Sequence, residues 1–248
     1  LIRKSKGHTV GIFAASLKQI EACNDNYEEA AKTIVDGGFN SRLAAEENNF
    51  KSACFISTDK SRAATTLYGA MKYVAGEGFI IGDSNCKLTT AIYGNVTNST
   101  GSIIPLIWNF INKGETLSLY GAEMTRFLLD VEDAVNLIMK SPSYERCNII
   151  PIAQSFKVKD LFDIYRKKFG LKYVITEPRT GEKIHEIMAS SEEVRRMELL
   201  KEDNIYLLHP RKDINEVSFK HNEYSSRDHC LTRNQLYDYL ESKNFYQS

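Results

Sequence analysis

Three short apolar runs place the strongest constraint on this chain: HTVGIFAA (His8–Ala15), SACFIS (Ser52–Ser57) and KLTTAIY (Lys87–Tyr93). Each has the length of a strand, and each is separated from the next by enough residues for a helix. Connections of that length carry the chain back to the same end of a sheet, where a hairpin would need only a tight turn. The spacing predicts βαβ units and a parallel sheet covered by helices on both faces.

Between the first two runs, NYEEAAKTIVDGGFNSRLAAEEN repeats apolar residues at helical spacing behind the cap candidates Asn24, Asp25 and Asn26. Gly37 and Gly38 inside it each cost about 1 kcal/mol relative to Ala, so they mark a break or a close approach. GEGFIIG (Gly76–Gly82) reads as a loop. After Gly94 the rhythm changes. Pro105 in a first helical turn followed by LIWNFINK and Gly114, VEDAVNLIMK (Val131–Lys140), and VKDLFDIYRKKF before Gly170 all read as helices. NIIPIA and YVITEP read as strands. Ser190-x-x-Glu193 reads as a capping box opening a helix over EEVRRMELL, and TRNQLYDYLES as a last helix. The lone Trp108 is assigned to core packing.

Composition removes several classes of function. Lys+Arg and Asp+Glu balance at 32 each with no long single-sign run, so electrostatic capture of nucleic acid or of an anionic membrane is not expected. No apolar run approaches the roughly 20 residues that span a bilayer. The five cysteines are scattered without C-x-x-C, and the five histidines show no ligand spacing. Reduced thiols in a cytoplasm fit this usage better than a disulfide frame, and no metal is expected.

The chemistry concentrates in FISTDKSRAATTLYGAMK (Phe55–Lys72). Tyr68 and Lys72 lie four apart on a predicted helix, so they share a face. A cation beside a phenol lowers its pKa from about 10 toward working pH. Such a tyrosine takes the proton of an alcohol while a nicotinamide accepts the hydride. Tyr-x-x-x-Lys alone is equally an amphipathic helix with an exposed lysine, and Asp59–Lys60 alone is equally a solvated loop pair. Together they follow a buried strand at the end where parallel sheets bind ligands, and there the catalytic reading is the better one.

STDK followed by YGAMK resembles the C5-inverting, soluble UDP-N-acetylglucosamine 4,6-dehydratases. These are extended short-chain dehydrogenase/reductase proteins of the polysaccharide biosynthesis type. The likeness continues through FAASLKQ, YGNV, GSIIP, EMTRF, GEKIHEIM and NEYSSRD, in order along most of the chain. Relatives that make fucosamine-type sugars, and membrane-bound dehydratases, resemble this chain but carry Met at the position of Tyr68.

The resemblance implies an α/β fold: a partial Rossmann-type parallel sheet flanked by helices, with a smaller C-terminal substrate-binding lobe. Residues 1–96 would form the later part of the dinucleotide-binding domain, with 129–165 packing back on it. Residues 97–248 would form mainly the lobe and a C-terminal extension. It implies NADP as cofactor (NAD the alternative), a UDP-sugar substrate, a cytoplasmic homo-oligomer, and a lyase reaction. Tyr68, helped by Lys72, would deprotonate the sugar 4-hydroxyl, and Lys60 would abstract the C5 hydrogen. Asp59 would protonate the departing 6-hydroxyl and Thr58 would orient the 4-oxygen. Ala14 and Ala15 would line the cofactor together with Tyr68 and Lys72. Lys18, Asn95, Ser102, Ile103, Arg126, Arg179 and Glu182 would hold the nucleotide-sugar, although each taken singly is equally a surface residue.

Departures from the family pattern accompany the likeness. Nothing in Leu1–Gly11 supplies the Gly-rich turn that seats a pyrophosphate. With Leu rather than Met first, the expectation is a fragment that enters the fold at its fourth strand, a naturally shortened protein being the alternative. Phe13, Ile34 and Ile92 stand where the family has His, Asn and Arg, and Asn98–Ser102 loses a second Arg. Each lost charge-assisted contact to phosphate would cost roughly 1.5–3 kcal/mol where buried. Two other functions therefore stay open: a nucleotide-sugar binder or assembly partner without catalysis, and a UDP-sugar 4-epimerase.

Overall fold

The computed structural model of the protein describes residues 1–99, 101–178 and 181–246. They form two compact units. Leu1–Tyr93, Val135–Ile152 and Ile187–Tyr224 make the first, and Gly94–Ala134, Ala153–Glu186 and the chain from Ser225 onward make the second. The sequence expectation had assigned 187–224 with the lobe; the structure groups it with the first unit.

The first unit is built on a six-stranded sheet in the order Val10–Phe13, Ser52–Ile56, Lys87–Ala91, Cys147–Pro151, Ile205–Leu208, Met197–Leu200. The first four strands run parallel, with Phe13 opposite Phe55, Ile56 opposite Ala91, and Ala91 opposite Ile149. Cys147–Pro151 is buried at every position, as a strand covered on both faces must be. The expected α/β architecture is thus the one observed.

Helical residues run from Tyr27 to Glu47, with a π turn at Lys32–Asp36. Ala30, Ile34, Gly38, Ser41, Ala44 and Ala45 are its buried positions, the inward stripe of an amphipathic helix. The glycine pair marks a close approach. A Cβ on Gly38 would lie 3.1 Å from the Ala75 Cβ of the helix Leu67–Ile80.

Two expectations fail here. GEGFIIG is not a loop, because the helix Leu67–Ile80 runs through Gly76 and Gly78. Gly76 passes close to the Thr90 methyl and Gly78 accommodates the Phe39 ring, so the glycines serve packing. EEVRRMELL is not one helix either. The capping box Ser190–Glu193 forms, but its helix ends at Val194. Met197–Leu200 instead pairs antiparallel with Ile205–Leu208, whose opposite edge is already taken by Cys147–Pro151. Local helix preference yields to the demand of a buried sheet edge.

In the second unit, Thr116–Tyr120 pairs parallel with Lys172–Thr176, and Thr125–Leu128 pairs antiparallel with Gln154–Lys157. Helices Ile103–Lys113, Val158–Phe169 and Arg233–Ser242 close over a core that includes Ile104, Leu119, Phe156, Leu161 and Leu240. Gly114 and Gly170 end the first two of these helices in the left-handed conformation, with φ of 66° and 73°. Trp108 packs on Phe169 at 4.7 Å and on the edge of Tyr165 at 5.7 Å, as assigned.

The glycine pair gives opposite predictions for adjacent residues. Gly38→Leu should lower the unfolding free energy by about 1–3 kcal/mol, since it overpacks the contact with Ala75. Gly37, whose Cβ would meet only the Lys32 carbonyl at 3.8 Å, should gain up to about 1 kcal/mol on change to Ala. Urea denaturation measures both, and effects of the same sign would remove the close-packing explanation.

Candidate active site

The strand Ser52–Ile56 delivers Ser57 and Thr58 to the carboxyl edge of the parallel sheet. The Ser57 amide still donates to the Ala91 carbonyl at 2.8 Å and the Asp59 amide to the Tyr93 carbonyl at 3.1 Å. A single 3-10 turn, Asp59–Ser61, follows. Thr58 caps it: its Oγ1 accepts from the Lys60 amide at 3.4 Å and donates to Asp59 Oδ1 at 2.8 Å. Asp59 Oδ1 also accepts from Lys60 Nζ at 3.2 Å, and the residue is only 1% exposed. Asp59 Oδ2 is buried and has no hydrogen-bond partner among the described residues. Leaving a buried acceptor unpaired costs about 1–3 kcal/mol, and the carboxylate of this pair is buried while Lys60 stays partly exposed, so it is not a pair free in solvent.

Thr66 opens the helix Leu67–Ile80 by accepting from the Gly69 amide at 3.2 Å, and Tyr68 and Lys72 then point inward from its first turns. Burial pushes the Tyr68 phenol up to about 12, with Lys60 pulling it down and Asp59 pushing it further up. Burial also depresses the Lys72 ammonium to about 8. Here the structure departs from the expectation drawn from the four-residue spacing. Lys72 Nζ donates to the Ile56 carbonyl at 2.9 Å and lies 4.9 Å from the Phe55 ring centroid. The cation acting on the phenol is Lys60. Gly69 closes the arrangement, because a Cβ there would collide with the Lys60 carbonyl oxygen.

Thr58, Asp59, Lys60, Tyr68 and Lys72 are thus brought together within the first unit. Ala14 and Ala15 follow the strand Val10–Phe13 at the same sheet edge, and Lys18 is exposed a few residues on. A dinucleotide fits this edge on one observation. The buried Lys72 ammonium spends one hydrogen bond on Ile56 and keeps its other donors for a ligand.

Asn95, Ser102, Ile103, Arg126 and Glu182 all line one pocket of about 410 Å³ within the second unit. Ser102 Oγ is buried there with no hydrogen-bond partner among the described residues, at the N-terminus of the helix Ile103–Lys113. Arg126 already holds Glu182 at 3.2 Å and Glu186 at 3.4 Å. Binding a pyrophosphate would mean exchanging these carboxylates for it. Arg179 lies outside the described residues. Sequence reasoning missed Arg62, a fully buried cation two residues past Lys60. No local pattern joins it to its partners Glu77, Asn148 and Glu193.

A parallel sheet ending on an Asp–Lys turn and a Tyr-x-x-x-Lys helix defines an extended short-chain dehydrogenase/reductase. The profile of the polysaccharide biosynthesis protein family matches residues 1–208, and the chain belongs to that family. It is similar to the inverting UDP-N-acetylglucosamine 4,6-dehydratase of Campylobacter jejuni, 33% identical over 192 residues, which cover 73% of this chain and 56% of the relative. It is also similar to the UDP-glucose 4-epimerase of Rickettsia canadensis, 33% identical over 197 residues, 75% of this chain and 57% of the relative. The chain therefore spans little more than half the length of these relatives. Among solved structures, Pen from Bacillus thuringiensis superposes with a TM-score of 0.87 at 20% identity, over 98% of this chain and 78% of that one, which shows the fold.

Two measurements probe this geometry. The folded chain holds the Lys72 proton up to about pH 8, against 10.5 for the ordinary amine. Stability from this group is therefore full above 10.5 and is lost as the pH falls through 8. Relative to Lys72→Met, the wild type should gain about 3 kcal/mol of unfolding free energy between about pH 7 and pH 11. A flat difference would show that the amine is not desolvated. Gly69→Ala should cost about 1–3 kcal/mol by forcing the Lys60 turn away from the helix. An unchanged unfolding midpoint would contradict that contact.

Proposed function

We propose that this chain carries the catalytic residues of an NADP-dependent dehydratase that converts UDP-N-acetylglucosamine to a 4-keto-6-deoxy sugar with inversion at C5, in surface polysaccharide biosynthesis. The observation that carries the reading is the ion pair of the buried Asp59 with Lys60 on the turn beside Tyr68 and Lys72. Removing a 4-hydroxyl proton needs only a tyrosine and a lysine. Eliminating water across C5 and C6 needs a second base and a second acid, and the turn provides both in reach of the same phenol.

NADP⁺, when bound, supplies the acceptor and later the donor of the hydride. Tyr68 takes the 4-hydroxyl proton, with Lys60 opposing the cost of charge on the buried phenol. Thr58 orients the 4-oxygen. Transfer of the Lys60 proton to Asp59 across their 3.2 Å contact leaves a neutral Lys60 to remove the C5 hydrogen, made acidic by the 4-keto group, and a protonated Asp59 to give its proton to the 6-hydroxyl as water leaves. Reprotonation of C5 from the opposite face inverts that centre. In the second unit, the Ser102 hydroxyl at a helix N-terminus is suited to an anionic or polar part of the nucleotide. Lys72 would hold the cofactor. A cytoplasmic homo-oligomer is the proposed form, on family likeness.

The 4-epimerase reading rests on the Rickettsia relatives and gives Asp59 and Lys60 no task. Incubating the purified protein with UDP-N-acetylglucosamine and NADP⁺ in deuterated water separates the readings. The expected product is a 4-keto-6-deoxy sugar with deuterium at C5, made with NADP⁺ in preference to NAD⁺ and abolished by Tyr68→Phe. A C4 epimer that retains its 6-hydroxyl would mark the epimerase. Tight UDP-sugar binding without turnover would mark a non-catalytic binder, and normal turnover by Tyr68→Phe would sink the mechanism.

A further inference from the structure

Arg62 is 1% exposed, and its guanidinium is held by three side chains from three parts of the first unit. Nη1 donates to Glu193 Oε1 at 2.6 Å, and Nη2 donates to Glu77 Oε1 at 2.9 Å and to Asn148 Oδ1 at 3.0 Å. Glu77 lies on the helix that carries Tyr68 and Lys72, Asn148 on the sheet strand Cys147–Pro151, and Glu193 in the capping box with Ser190. The partners are themselves fixed. Asn148 Nδ2 donates to Glu77 Oε1 at 3.0 Å, and Glu193 Oε2 accepts from the Ser190 amide at 2.9 Å. The Tyr73 ring stacks on the guanidinium at 5.3 Å. At its own end, the Arg62 amide closes the Asp59–Ser61 turn by donating to the Asp59 carbonyl at 3.0 Å.

The next residue, Ala63, has φ of 43°, in the left-handed region that a residue with a Cβ enters only when its surroundings over-determine it. A guanidinium forked onto three fixed acceptors over-determines it. Burying an ion pair is weak support for stability as such, since apolar replacements are often as stable. What the arrangement does supply is a set geometry between one turn and one helix.

We propose that Arg62 is a positioning residue: it clamps the Asp59–Lys60 turn to the helix bearing Tyr68 and Lys72, and so governs elimination at the sugar without touching it. The catalytic half of this statement rests on the dehydratase reading; the clamp does not.

The test is a variant in which Arg62→Met is combined with Glu77→Gln and Glu193→Gln, so that no carboxylate is left buried and unpaired. Its urea unfolding should stay near wild type. The amides of Lys60, Ser61 and Arg62 should exchange with deuterium about 10-fold faster or more, while those of Cys54 and Phe55 in the sheet keep their rates. The turnover number should fall about 100-fold with KM unchanged. Arg62→Lys, which keeps the charge but loses the fork, should recover only part of both effects. It also serves as the test if the triple variant does not fold. Wild-type exchange at the turn together with wild-type turnover would overturn the proposal. Faster exchange at the turn in a protein whose wild type shows no dehydration would retire the dehydratase reading and leave the clamp standing.

Discussion

The Lys60 carbonyl oxygen occupies the space that a Cβ on residue 69 would need. That backbone contact fixes how near the Asp59–Lys60 turn can come to the helix Leu67–Ile80, and every interaction at the site follows from it. With glycine at 69, the Lys60 charge is near enough to act on the Tyr68 phenol, and the Asp59 charge opposes it. Thr58 and Thr66 cap the two elements that meet there. Arg62 and Glu77 join them again farther along the helix.

Burial drives the buried groups of this site in opposite directions. The phenol is held up at about 12 and the Lys72 ammonium down at about 8, both because a charge is poorly solvated there. Neutral Tyr68 is therefore the resting form. Ionising it needs positive charge beyond what Lys60 already gives against Asp59. In the proposed reaction, a positive charge brought to the carboxyl edge of the sheet by a ligand would favour that ionisation.

The sheet was legible because its parallel strands are buried on both faces and read as unbroken apolar runs, as at Ser52–Ile56 and Cys147–Pro151. The hairpin formed by Met197–Leu200 and Ile205–Leu208 was not. Its first strand follows a genuine capping box, and nothing local says that a sheet edge is waiting for it. The same limit applies to the glycines. Gly37–Gly38 declared a close approach, whereas Gly76 and Gly78 looked like loop residues because their partners, Thr90 and Phe39, belong to other elements. At the site, the grouping of the five residues of the turn and helix was readable from spacing and likeness, but the contact that Lys72 makes was not. Its four-residue offset from Tyr68 permits contact with the phenol, and only the fold sends the ammonium to the Ile56 carbonyl instead.

Three departures from the family pattern take on a different meaning once their burial is known. Ile34 is 1% exposed and Ile92 fully buried, and Phe13 packs against Phe79 at 6.0 Å. Polar groups were expected at these positions to serve a ligand. In their place stand apolar side chains, of which the fully buried Ile34 and Ile92 contribute about 1.5–3 kcal/mol each to folding. All three positions serve the core of the first unit instead. Of the cations beside the sheet edge, Lys60 is tied to Asp59 and Lys72 donates to the Ile56 carbonyl. The buried Lys72 ammonium is costly to the fold, and in the proposed reaction a cofactor held by it would offset that cost.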